Sequence, residues 1–204
     1  NFRSLVSKMK IVIIQYNAGN IQSVLYALER LGVAAVVTDA HEEIQTADKV
    51  IFPGVGEASS AMQYLRQRNL DKLIIHLQQP VLGICLGMQL MCAYSSENNT
   101  KCLGIFEEEV KQFETQDPSF KIPQIGWNTM QSLKGPLFHK IEENSFAYFV
   151  HSYFAATGKH TIASTNYIKE YSSALQKNNF YGVQFHPEKS AKVGEQILQN
   201  FLSF

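Results

Sequence analysis

Val81-Leu82-Gly83-Ile84-Cys85-Leu86-Gly87-Met88-Gln89 is the stretch on which the fold turns. Pro80 precedes four residues that read as a strand buried on both faces, and an apolar helix, Leu86 to Tyr94, is expected to follow. A Gly-x-Cys-x-Gly run at such a junction puts Cys85 on a sharp turn, where the glycines remove side chains that would collide. The sulfur then stands at the carboxyl end of a strand, where open α/β sheets bind ligands. It also stands at a helix N-terminus, whose partial positive charge favours a thiolate. A small residue packing a tight strand–helix junction is the plainer alternative.

Upstream, the chain alternates strand and helix. Residues 10–15 read as a buried strand around the apolar run Ile11–Ile14, and Ile21, Val24, Leu25, Leu28 and Leu31 recur at helical spacing until Gly32. Val33 to Val37 and Lys49 to Phe52 read as further strands, and Ala58, Met62 and Leu65 as a helix. This alternation predicts a parallel sheet with helices on both faces. Downstream the runs shorten and turn residues multiply. Phe146 to Val150, Thr161 to Thr165 and Phe180 to Phe185 read as antiparallel strands, with Asn178-Asn179 as a tight turn, and Val193, Ile197, Leu198, Phe201 and Leu202 mark a closing helix. The expected fold is α/β: an open, mostly parallel sheet flanked by helices, with an antiparallel strand-rich insert.

The 204 residues suit one domain. Residues 1–8 read as an appended leader, with Met9 as the native start and 9–204 as the single domain. Eighteen basic residues balance eighteen acidic ones, which gives no electrostatic footprint for nucleic acid or an anionic membrane. No apolar run approaches the ~18–20 residues of a membrane span. Without a signal-peptide core, a cytoplasmic location is the expectation. Three cysteines without a C-x-x-C pair argue against a disulfide framework and a structural zinc site, so neither metal nor cofactor is expected. Cys92 reads as a buried small hydrophobe and Cys102 carries no assigned role.

A thiol needs a base, and Gln184-Phe185-His186-Pro187-Glu188 offers one. His186 falls at the end of an apolar strand, and Pro187 keeps it extended. Residues two apart in extended chain share a side, so Glu188 can hold one imidazole nitrogen while the other faces Cys85. Pro53-Gly54-Val55-Gly56 permits close backbone approach, and N–H groups near Val55 and at Leu86 are candidate oxyanion donors. A strand-ending His beside a surface Glu, and an ordinary Pro-Gly loop, are the plainer alternatives. His41, His76, His139 and His160 read as packed or solvated imidazoles.

These parts resemble the class I, triad-type glutamine amidotransferases from Met9 to the C-terminus. Tyr16-Asn17-Ala18-Gly19-Asn20, Pro123-Gln124-Ile125-Gly126-Trp127-Asn128 and Phe185-His186-Pro187-Glu188-Lys189-Ser190 are similar to segments of one family within them, the glutaminase subunits of imidazole glycerol phosphate synthase. The resemblance implies attack of Cys85 on the side-chain amide of glutamine, with His186 as proton carrier and Glu188 as its orienter. It implies that Gly54, Gln89, Glu97, Ser152 and Tyr153 surround the substrate. It implies a (β/α)₈ cyclase partner in a heterodimer, touched by Asn20, Trp127, Tyr148 and Lys189, and a role in histidine biosynthesis. Core packing is the alternative for Trp127, and a solvated helix-end charge for Glu97. The chain departs from many relatives at Gln124, where they carry His; Gln keeps hydrogen bonding but cannot carry charge. A glutaminase serving another synthase, such as a chorismate-aminating one, and a catalytically silent regulatory subunit stay open as alternatives.

Overall fold

A computed structural model describes all 204 residues. The apolar run near the N-terminus becomes β1 (Ile11–Ile14), the strand on which both cores meet. Ile11 and Ile13 point into one buried cluster and Val12 and Ile14 into the other, all at most 1% exposed. Full burial of such a side chain is worth about 1.5–3 kcal/mol, so a strand apolar at every position is stable only between two helical layers.

The remaining elements follow in chain order. They are α1 (Phe2–Val6) before β1, then α2 (Ile21–Arg30), β2 (Ala35–Thr38), α3 (His41–Gln45), β3 (Lys49–Gly54), α4 (Ala58–Gln67), α5 (Leu70–Ile75), β4 (Val81–Cys85) and α6 (Leu86–Met91). After them come β5 (Tyr94–Ser95), β6 (Thr100–Lys101), β7 (Glu109–Gln112), β8 (Gln124–Thr129), β9 (Phe146–His151), β10 (Tyr153–Ala155), β11 (Thr161–Tyr167), β12 (Lys169–Lys177), β13 (Phe180–Val183) and α7 (Ala191–Leu202). The main sheet runs β2-β1-β3-β4-β13-β12-β10-β7-β5-β6, with β11 beside β12. Strands β2, β1, β3, β4 and β13 pair in parallel. From β12 outward the pairing becomes largely antiparallel. The antiparallel strands therefore extend the parallel sheet, and only β8 and β9 form a ribbon of their own.

Several boundaries differ from the sequence reading, each for a local reason. The second strand starts at Ala35, because the Gly32 and Val33 N–H groups close α2 by bonding to Glu29 and Leu28. The helix after Cys85 stops at Met91, because Cys92 turns extended and Ala93 donates to Glu108 on the way into β5. Residues 2–6, set aside in the sequence reading, form α1, whose Val6 is buried in the same cluster as Ile11. No helix is long and apolar enough to cross a membrane.

The Asn178-Asn179 turn joins β12 to β13 as expected, with Asn178 in the left-handed region at φ 53°. It sets the register Lys177↔Phe180, and β13 then pairs in parallel with β4 so that Val183 lies beside Ile84. Cys85 and the segment after Val183 therefore leave the same end of the sheet side by side.

Candidate active site

The strand–helix junction at Cys85 has φ 55° and ψ −113°, a conformation L-residues rarely adopt. Its glycines are required by contact. A Cβ on Gly87 would lie 1.8 Å from the Phe52 carbonyl oxygen, and one on Gly83 would lie 2.5 Å from Met91 Sδ. Gly54 on the adjacent strand is equally confined, with the Tyr16 hydroxyl 2.2 Å from where its Cβ would be. Strands β3 and β4 thus press directly on α6, and the turn has no freedom to relax.

Cys85 is 6% exposed and His186 5%. His186 follows β13, its N–H bonded to the Tyr148 carbonyl on β9 at 2.9 Å. Its Nδ1 lies 2.7 Å from Glu188 Oε1, and its ring lines the same cavity as Cys85. Glu188 sits in a single 3₁₀ turn, Pro187–Lys189, so only His186 is extended and the carboxylate reaches it from a helical turn rather than by the extended alternation of the sequence reading. Burial alone would lower the pKa of His186. The hydrogen bonds to Cys85 and Glu188, together with their charges, outweigh it and raise the value to about 10. The other two thiols are unsuited to attack. Burial drives Cys92 well above the usual thiol range and Cys102 up to about 12.

A cavity of about 290 Å³ opens over the sulfur. Val55, Leu86, Gln89, Glu97, Ser152 and Tyr153 from the sequence reading all line it with Cys85 and His186. Gly54 does not. It borders a neighbouring void of about 10 Å³ shared with Asn20, Glu188 and Lys189. Gln89 donates its amide nitrogen to the Tyr153 carbonyl at 2.9 Å. Glu97 belongs to a 3₁₀ turn after β5 and is no helix-end charge of α6. One of its oxygens accepts the Ala58 N–H at the start of α4 at 2.7 Å. Burial, against that bond and with the charge of Glu57, raises its pKa.

The two oxyanion donors differ in availability. Leu86 opens α6, so its N–H has no intrahelical acceptor. The Val55 N–H instead donates to the Ala18 carbonyl. In this conformation the Val55 N–H is therefore committed to Ala18 and offers no second donor, an orientation the sequence left open.

The four residues read as partner-facing sit behind the triad. Trp127 is 52% exposed and packs edge-on against Tyr148 at 5.8 Å, which removes core packing as its role. Trp127 and Lys189 line one cavity of about 330 Å³ together with Glu188, and Asn20 meets Lys189 at the small void. Ile125 and Phe146 extend this uncovered apolar face, at 64% and 56% exposed.

The sequence reading gave no role to His151 or Gln184 and no partner to His160. His151 is buried in the cavity wall, with Nδ1 2.7 Å from the Tyr153 carbonyl and Nε2 3.0 Å from the Gln124 side-chain amide, which also meets the Tyr171 hydroxyl. Gln184, fully buried, contacts the Cys85 sulfur at 3.7 Å. His160, read as a packed or solvated imidazole, meets the buried Glu108 carboxylate at 2.6 Å, remote in sequence. No group of three or more His, Cys, Asp or Glu side chains could hold a metal ion.

Residues 12–203 match the family model for class-I glutamine amidotransferases. The imidazole glycerol phosphate synthase subunit HisH of Bacteroides fragilis (strain YCH46) is 55% identical over 194 residues, covering 95% of this chain and 99% of that protein. The subunit of the same name from Vibrio parahaemolyticus is 43% identical over 204 residues, covering 97% and 99%. A solved glutamine amidotransferase superposes with a TM-score of 0.72 at 16% identity, covering 94% of this chain and 97% of that one, a likeness of fold. With a strained cysteine elbow, a His–Glu pair beside it and a match from the first strand to the last helix, this chain belongs to the class-I glutamine amidotransferase family.

Proposed function

We propose that the chain is the glutaminase subunit of an imidazole glycerol phosphate synthase in histidine biosynthesis. The observation that carries this reading is the Cys85–His186–Glu188 chain opening onto the 290 Å³ cavity, in a protein 55% identical to a HisH subunit. The Cys85 thiolate attacks the amide carbon of glutamine, and the carbonyl electrons move to oxygen. On collapse the C–N bond breaks, and His186 gives its proton to the departing amine, which leaves as ammonia. A glutamyl thioester remains. Water loses a proton to His186, attacks the thioester and releases glutamate. Glu188 keeps the imidazole in register and stabilises its protonated form. Glu97 is suited to the α-ammonium of the substrate, and Gln89, Ser152 and Tyr153 to its polar groups.

Ammonia released into water would be protonated and lost as a nucleophile. In the proposed complex it passes to a (β/α)₈ cyclase partner, which forms imidazole glycerol phosphate and an aminoimidazole carboxamide ribotide. The exposed Trp127–Tyr148 face, with Asn20 and Lys189 beside the small void behind the triad, is the proposed docking surface. That void is also bordered by Gly54 and Val55, so docking there acts on the peptide whose N–H is held by Ala18. Release of that N–H would complete an oxyanion hole with Leu86.

The test is co-purification with the cyclase and a glutaminase assay with and without the cyclase ligand. Slow hydrolysis by the isolated chain and acceleration in the complex are expected. Full activity that ignores the partner would count against the reading. In the complex, Cys85→Ala should abolish glutamine-dependent synthesis and preserve synthesis from added ammonia. Loss of both would make Cys85 structural.

A further inference from the structure

Two polar groups hydrogen-bond to the Cys85 sulfur, the Val150 carbonyl at 3.7 Å and the Gln184 side-chain amide at 3.7 Å, and the His186 ring shares its cavity. The Val150 oxygen can only accept, so it favours the thiol. The Gln184 contact is less obvious, because an amide can present either nitrogen or oxygen. Its orientation is settled by counting donors. The Tyr153 carbonyl can only accept, so Gln89 must turn its nitrogen toward it, at 2.9 Å. The second hydrogen of that nitrogen points at Gln184, 2.8 Å away, and requires the Gln184 oxygen there. Gln184 is left with its nitrogen facing the sulfur.

We propose that Gln184 is a positioning residue of the nucleophile, its amide N–H donating to the Cys85 thiolate and its oxygen tying that bond to Gln89 in the cavity wall. A hydrogen bond to an ionised acceptor is stronger than one to the neutral form, so this donor opposes Val150 and works with His186. The placement follows from the strand. Gln184 lies two residues before His186, and extended chain turns both to the same side. Gln184 is completely buried, and burial of an amide is costly unless both ends are satisfied, as they are here. Gln89 accepts no bond through its own oxygen within the chain, so a ligand bound at that oxygen shares a continuous amide chain with the sulfur. The consequence for turnover rests on the glutaminase reading; the hydrogen bond to Cys85 does not.

The test uses the full chain with Gln184→Glu and Gln184→Met. The second deletes both the acceptor for Gln89 and the donor to sulfur, and the first keeps the acceptor and replaces the permanent amide donor by a carboxyl group that can donate to sulfur only while protonated and repels the thiolate once ionised. Alkylation of Cys85 by iodoacetamide, followed by peptide mass across pH, is expected to shift its midpoint upward by about one unit or more in both. In the cyclase complex kcat for glutamine should fall about tenfold or more. The glutamine KM should hold in Gln184→Glu and rise in Gln184→Met, and ammonia-dependent synthesis should persist. A folded variant whose alkylation midpoint and kcat match the wild type would overturn the proposal. If neither variant folds, the wild-type chain decides: the ¹⁵N side-chain signal of Gln184 must move with the Cys85 titration and in Cys85→Ser, and a stationary signal overturns the proposal. If the wild-type complex proves unable to hydrolyse glutamine, the glutaminase reading fails, while the alkylation and ¹⁵N arms still judge the hydrogen bond.

Discussion

Lowering the pH from 7 to 5 should destabilise this protein through one residue, His151. Its ring is almost wholly buried, and burial is the main reason its pKa falls from 6.5 to about 4. The Tyr153 carbonyl opposes that shift and the charge of His186 adds to it. In the unfolded chain the imidazole takes a proton below about pH 6.5, and in the folded chain it does not until about pH 4. The unfolded state therefore binds more protons between those values, and stability declines as pH falls through the window. One pKa unit corresponds to about 1.4 kcal/mol, so the loss is about 2 kcal/mol by pH 5 and levels off below about pH 4. The assay is urea denaturation of the isolated chain at pH 7 and pH 5, for the wild type and His151→Gln. The variant starts less stable, because the Tyr153 and Gln124 contacts are altered, yet it lacks this titration. Its additional loss between the two pH values should be smaller than that of the wild type by about 2 kcal/mol. Equal losses would refute the buried neutral imidazole.

Gly87→Ala should cost about 3 kcal/mol or more in thermal or urea unfolding, because the new Cβ would meet the Phe52 carbonyl oxygen at 1.8 Å. Gly56→Ala, with φ 111° and open space around it, should cost only about 1–2 kcal/mol; a reversed order would show that the elbow can relax. Glu188→Gln should slow glutamine turnover about 10–100-fold and draw the pKa of His186 down from about 10, which a pH–rate profile would register. An unchanged profile would remove Glu188 from the chain of command. Trp127→Ala should change stability by no more than about 1 kcal/mol, since the side chain is half exposed, while weakening cyclase binding about tenfold or more. A destabilised chain with intact binding would assign Trp127 to the core.

The strands β1, β3 and β4 were legible because they are apolar on both faces, and the helices α2 and α7 because one face repeats. Strand β12 was not: its centre contains Ser172 and Ser173, fully buried small polar residues that carry no strand preference. Strand β8 was missed for the opposite reason, since Ile125 and Trp127 point outward onto a face this chain leaves uncovered. In the site, Cys85, His186 and Glu188 could be read because each depends on its immediate neighbours: a turn between glycines, and a carboxylate two residues past a strand-ending histidine, although a 3₁₀ turn and not extended chain brings that carboxylate round. Gln184 lies two residues before that histidine but gains meaning only from Gln89, 95 positions away. The His151–Gln124 contact likewise spans 27 positions on paired strands. The substrate-facing set, Glu97 above all, came from family likeness, because local sequence holds no sign of where a turn after β5 will point its carboxylate.

The glycines around the elbow have a mechanical consequence. A Cβ on Gly182 would come within 2.4 Å of Met88 Cγ, so β13 joins β3 and β4 in bearing directly on α6. The nucleophile is thereby gauged in part against main chain, at Gly87 beneath the Phe52 carbonyl, and in part against the core side chains Met88, Met91 and Tyr16. Divergence in the cores is thus free only away from these contacts, and an engineer rebuilding the interior would have to hold Tyr16, Met88 and Met91 to keep the seat of Cys85.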